Sequence, residues 1–157
     1  DADALEQIQS TLATHPHGVL EHRIAIWVYL SLHRYADAEQ QMRMVSEQDP
    51  DAGALLVRGI ADPRQRASAV HALETSSALG RLRRDAIVHA LFLAALGEND
   101  RALAVLEEFA IDGNSTTPQL LWYPAFDPLR DNPRFKAVLR KIGLPYVPEK
   151  IETGATS

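Results

Sequence analysis

A chain of 157 residues with 46% hydrophobic and 24% charged residues can bury a core, which excludes a disordered chain and suits one domain or one segment of a helical array. Its net charge of −5 argues against nucleic acid as the main partner, because phosphate binding needs a basic face. With no cysteine, disulfides and thiolate metal sites are excluded, and no apolar stretch nears the roughly 20 residues needed to span a bilayer, so no membrane insertion is expected.

In chain order, residues 4–14 place Leu5, Ile8 and Leu12 on one face and Glu6, Gln7 and Gln9 on the other, which predicts a short amphipathic helix. His15-Pro16-His17-Gly18 breaks it. Residues 19–33 carry Leu20, Ile24, Trp27, Val28, Tyr29, Leu30 and Leu32 over a wide arc, the pattern of a helix packed against several neighbours. After the polar break His33-Arg34, a narrower stripe follows: Ala38, Met42 and Val45, with Glu39, Gln40, Arg43 and Glu47 outside. Asp49-Pro50 stops it.

Residues 54–60 form a short apolar run, and Asp62-Pro63 has the form of an N-cap followed by proline at the first helical position. Ala69, Val70 and Leu73 continue a stripe to the turn-like Thr75-Ser76-Ser77, and Gly80 closes the region. From about Leu82 to Ile111 runs the clearest feature of the chain. Its part 85–111 reads DAIVHALFLAALGENDRALAVLEEFAI: two apolar runs about a turn at Gly97, Glu98, Asn99 and Asp100, a helical hairpin.

A polar loop is expected at 112–117, and Pro118 opens a short helix with Leu120, Leu121 and Trp122. Asp127-Pro128 and Asn132-Pro133 are both cap-plus-proline signals. Phe135, Val138, Leu139 and Ile142 make the face of a last helix that Gly143 ends, and Pro145 and Pro148 keep the tail from rejoining it. No stretch shows clean period-two alternation, so the expected class is all-α, one domain over residues 1–148 with a flexible tail at 149–157.

Few side chains suggest chemistry. His15, His17 and His22 lie close in sequence beside Glu21, but a polar turn between helices explains them better than a metal site, which needs converging ligands. His71 and His89 are single helical residues. There is no G-x-S-x-G and no glycine-rich phosphate loop, and Glu107-Glu108 fits a solvated helix face. No catalytic residue, metal ligand or cofactor is assigned, and the chain is expected not to be an enzyme.

An internal repeat supplies the organising pattern. Leu32-His33-Arg34-Tyr35-Ala36-Asp37-Ala38 aligns with Leu96-Gly97-Glu98-Asn99-Asp100-Arg101-Ala102, 64 residues later. That is about two units of the 34-residue tetratricopeptide period. Tyr29, Ala38, Met42 and Pro50 take the tyrosine, alanine, phenylalanine and proline places of that pattern, and Ala90, Leu93, Ala102 and Leu106 those of the later unit, with Gly97 in the turn. Ile26 stands where a small glycine is usual, Asn114 replaces the second proline, and in the middle unit Ala67 and Ala69 fit equally well.

The chain thus resembles a tetratricopeptide-repeat protein. The run from Pro124 through Phe126, Asp127-Pro128-Leu129-Arg130, Asn132-Pro133-Arg134-Phe135 and Leu139 to Gly143-Leu144-Pro145 is similar to the closing segment of many bacterial members.

The resemblance implies a right-handed α-solenoid of antiparallel hairpins, a superhelix whose apolar end is covered by a C-terminal capping helix. It also implies a non-enzymatic interaction module that takes a protein or peptide on its concave face, as the C-terminal part of a larger bacterial regulatory protein. The start at Asp1 and the polar GATS end fit a piece of a longer chain. The alternative is a small-molecule sensory domain of a transcriptional regulator. The compartment would be cytoplasmic, or periplasmic if a membrane span lies upstream, and homo-oligomerisation stays open.

The repeat phase places Arg23 and Trp27 on the concave face in the first unit, and Arg84, Ile87 and Leu91 in the later one. Arg58 joins them if Ala69 sets the middle register. Arginines could pair bidentately with carboxylates while Trp27 supplies a flat anchor. On that placement, Trp27 should matter more for binding than for stability.

Overall fold

The computed structural model describes residues 2–112 and 118–144. Most of the expected 112–117 loop, Asn114 included, and the expected tail at 149–157 lie outside the described residues. The helices are α1 (Ala2–Thr14), α2 (Val19–Ser31), α3 (Tyr35–Val45), α4 (Pro50–Ala61), α5 (Arg66–Thr75), α6 (Gly80–Arg84), α7 (Ala86–Ala95), α8 (Asn99–Asp112) and α9 (Pro133–Lys141). Short 3-10 turns at Pro63–Gln65, Pro118–Trp122 and Pro124–Leu129 complete the helical segments. Among the described residues there is no strand.

Side-chain caps fix several helix starts. The carboxylate of Asp49 accepts from the Ala52 amide ahead of Pro50, Asp62 accepts from Arg64 ahead of Pro63, and Asn132 accepts from Arg134 ahead of Pro133. Asp85 accepts from Ile87 and Val88 at the start of α7. Such caps each contribute about 1 kcal/mol by satisfying amides that have no partner within the helix.

Asp127 is different. It lies inside a 3-10 turn, with its carboxylate 2.6 Å from Arg130 Nε, so Asp127-Pro128 is not a helix start. Gly80 likewise opens α6 instead of closing a segment.

The two aligned turns share one backbone design. His33 and Gly97 both sit in the left-handed region, at φ 56° and 81°. Arg34 N–H bonds to Tyr29 O and His33 N–H to Leu30 O; Glu98 N–H bonds to Leu93 O and Gly97 N–H to Ala94 O. Gly143 closes α9 in the same way, at φ 73° with Leu144 N–H on Leu139 O. This turn satisfies the last helix carbonyls and reverses the chain. Just after the two aligned turns, Ala38 and Ala102 are fully buried.

Each helix from α1 to α5 packs on the next, α7 packs on α8, and α8 on α9, so elements adjacent in sequence are adjacent in space. Both C-terminal 3-10 turns lie on α7. Close approach to α4 separates Ala69 from Ala67. A Cβ at Gly59 would run into the Ala69 methyl and come within 3.0 Å of Leu96 Cδ2, whereas Ala67 is exposed. Ala69 is therefore the small residue at which α5 meets α4.

The wide apolar arc of α2 is only half covered. Ala25, Ile26, Trp27 and Tyr29 are buried, but Val19, Leu20 and Ile24 are 53%, 63% and 43% exposed.

Gly59→Ala should cost about 1–3 kcal/mol by forcing α4 and α5 apart. Gly80→Ala, where the nearest atom to a new Cβ is Arg83 Nη2 at 3.6 Å, should be neutral or slightly stabilising. Denaturant titration of the two variants checks the contrast, and equal costs would show that Gly59 is not a contact point.

Candidate interaction surface

Leu20, Arg23, Ile24 and Trp27 share one stripe of α2, since helix residues three, four and seven apart lie one above another. The stripe has two halves. At the C-terminal end, Trp27 is 7% exposed. Its ring packs on Phe92 of α7 with centroids 4.7 Å apart, and meets Tyr123 edge-on at 5.8 Å. Burial pushes the Tyr123 phenol above its ordinary pKa. Arg130 holds this segment from below, donating from Nη2 to the Trp122 carbonyl at 2.8 Å while its guanidinium lies over the Trp122 ring. At the N-terminal end, Leu20 and Ile24 face solvent, and half-buried Arg23 makes no ion pair among the described residues.

The expected concave set therefore divides. Trp27 and Leu91 are core residues, and so is Ile87; Leu91 and Ile87 are fully buried. Their placement on an open groove is corrected, because these side chains are buried, Trp27 against Phe92 and Tyr123. Arg58 is exposed but engaged: Nη2 lies 2.6 Å from Glu39 Oε1 and Nε 3.1 Å from Oε2, a bidentate strut between α4 and α3. Arg43 shares the same carboxylate at 3.1 Å and reaches Asp51 at 2.7 Å. Arg84 is exposed, but on α6, a separate five-residue helix ahead of α7. Of the five expected residues, the structure places only Arg23 and Trp27 on one stripe.

Other polar groups act within the fold. His22 is buried, with Nδ1 2.6 Å from Gln41 Oε1 and Nε2 donating to the Pro16 carbonyl at 3.1 Å, so it clasps the α1–α2 turn to α3. His15 and His17 stay exposed. His89 Nε2 lies 3.2 Å from Glu74, which also takes Arg101 at 2.9 Å. Among the described residues, no three His, Cys, Asp or Glu side chains gather closely enough to hold a metal. An open, polar surface depression is lined by Asp3, Glu6, Gln7, Ser10 and Thr11 of α1. Among the described residues, no helix is long and apolar enough to cross a membrane.

Compared with known proteins, no family model, curated protein or solved structure matches this chain.

Sequence reasoning missed Val19, Leu20 and Ile24 as surface residues and Tyr123 as the cover on Trp27. The signal for the first three was present in the breadth of the α2 arc, which exceeds what its neighbours can bury. Nothing local marks Tyr123, whose role depends on where the chain returns.

Trp27→Ala should cost about 3–5 kcal/mol, the usual loss for emptying a large aromatic site in a core. A melting transition close to the parent protein's would place Trp27 at a surface instead.

The Arg58 hydrogen bonds, and then those of Arg43, hold the Glu39 carboxyl below its ordinary pKa. A carboxylate with a depressed folded pKa contributes stability that is complete above its unfolded value and is lost as pH falls through the folded one. Glu39→Gln should therefore lower the melting temperature at pH 7, by a margin that shrinks in high salt and closes on acidification. A margin that persists unchanged in acid would reflect packing in place of charge.

Proposed function

We propose that this chain is a non-enzymatic interaction module, a tetratricopeptide-like stack of hairpins that docks a protein or peptide as part of a larger bacterial regulatory protein. The matched left-handed turns at His33 and Gly97 and the buried alanines after them support the repeat. The docking surface differs from the simple concave groove. One observation carries it: of the four large hydrophobic side chains left exposed among the described residues, three (Val19, Leu20 and Ile24) lie in the first turns of α2.

Fully covering a side chain of this size contributes about 1.5–3 kcal/mol. Three that are already half covered offer roughly 2–4 kcal/mol together, less than association costs. The partner must then add contacts of its own. Arg23, on the same stripe and without an ion pair among the described residues, suits a carboxylate that it can grip bidentately. The partner that fits is an apolar segment carrying an acidic residue.

The double variant Leu20→Glu, Ile24→Glu tests this. Both sites are exposed, so its stability should stay within about 0.5 kcal/mol of the parent. Proteins retained from host-cell extract by the parent chain should be lost by about tenfold or more, as quantified by mass spectrometry. An unchanged retained set on the folded variant overturns the proposal.

A further inference from the structure

We infer that the exposed face of α2 pairs with the same face on a second copy of this chain. Two parallel α2 helices meet through Leu20 and Ile24 and exchange Arg23 to Glu21 ion pairs across a two-fold axis. The inference rests on the α2 docking proposal above and names the partner that this face takes.

The apolar patch extends beyond α2. The fourth exposed large hydrophobic among the described residues is Met44 of α3, 46% exposed. His22 of α2 bonds to Gln41 of α3, and the two helices run antiparallel about the turn at His33. One turn before His22 and one turn after Gln41 are therefore level, which sets Met44 at the height of Val19. All four exposed large hydrophobics lie toward one end of the α2 and α3 hairpin. Four partly covered side chains still make a patch smaller than the about 800 Å² that each partner gives a standard interface. An unlike partner has to supply the difference from its own structure. A second copy brings an equal set of apolar side chains to the same place.

A two-fold interface must also be self-complementary, with both members of every charge pair on one patch. This patch meets that condition. At 3.6 residues per turn, Arg23 and Glu21 fall on opposite edges of the stripe made by Leu20 and Ile24. Both are half-buried, and neither side chain makes a hydrogen bond or ion pair among the described residues. Glu21 is also the acidic residue that the docking proposal asks of an apolar partner segment.

The same two edges select the orientation. In an antiparallel two-fold pair, like edges come together, setting Arg23 against Arg23 and Glu21 against Glu21. In a parallel pair with the axis along the helices, unlike edges meet. Each Arg23 then faces the partner's Glu21, offset by about 3 Å along the axis, which an arginine side chain spans. Charge complementarity of this kind fixes register and rejects wrong pairings more than it adds affinity.

Three measurements on the full chain test the dimer. Sedimentation equilibrium should show monomer–dimer exchange with a Kd of roughly 10–100 µM, as suits a small interface, and a chain still monomeric at about 1 mM overturns the inference. Arg23→Glu should weaken dimerisation by roughly tenfold or more, because acids then face each other along both edges, and Arg23→Glu combined with Glu21→Arg should restore it. A combined variant as weak as the single one overturns the ion pairing, provided both melt with the parent. Because the chain has no cysteine, disulfide trapping reads the orientation. Oxidation should join Leu20→Cys copies to one another. A link that forms only between Leu20→Cys and Ile24→Cys copies would mean antiparallel pairing and would overturn the arrangement. The docking proposal is judged separately. A monomeric parent whose Leu20→Glu, Ile24→Glu variant still loses its retained proteins overturns the dimer alone. A dimeric parent whose retained proteins are unchanged in that variant overturns the docking proposal alone.

Discussion

Trp27, packed at a tilt against Phe92, is an aromatic contact that ties α2 to α7. Most other helix–helix contacts join helices that follow one another in the chain. Such contacts alone would allow an extended array, with inner faces open to a ligand. The Trp27–Phe92 pair, with Tyr123 set against it, brings α2 to α7 and shuts that side. Aromatic pairs at these distances contribute beyond the area they bury, and here the consequence is a change of surface: residues in the phase of a groove become core.

Closure leaves an asymmetry on α2. Its stripe of Leu20, Arg23, Ile24 and Trp27 is continuous in sequence pattern but is covered at one end only. Val19, Leu20 and Ile24 in the first turns meet water, while Trp27 lies against Phe92 and Tyr123. The charged struts explain why the remaining arginines contribute less to a binding face. Arg58, Arg134 and Arg130 are each paired with a carboxylate or turned onto carbonyls, and their chief work is to join one helix or turn to the next. Exposed pairs of this kind add little stability singly, but they define which cations remain for a partner.

Small residues set the helix spacing. Gly59 against Ala69, with Ala38 and Ala102 fully buried after the two matched turns, lets helices come close without side chains between them. His33 holds a left-handed position that Gly97 fills at no steric cost. A bulky residue at such a turn demands support from its surroundings, and His33 has one contact of this sort in Tyr35, whose hydroxyl lies 3.0 Å from its ring nitrogen.

Helix existence, the caps at Asp62 and Asn132 and the 64-residue repeat of the turn were legible in the residues alone, because caps, prolines and left-handed turns are local physics. Asp62 and Asn132 each accept from an amide two residues on, and no distant contact is needed to place them. The middle register was not legible: Ala67 and Ala69 are equivalent until α4 supplies Gly59 as the surface one of them must meet. Nor was the fate of the expected site. Trp27 and Leu91 have the phase of an inner face, and only the return of residues 118–129 onto α7 decides that this face is filled. By itself the sequence determined an all-helical chain with repeated turns and an α2 apolar over a wide arc. Which part of that apolar arc is buried and which meets water was decided by tertiary structure, since burial depends on what another segment, remote in the chain, lays over it.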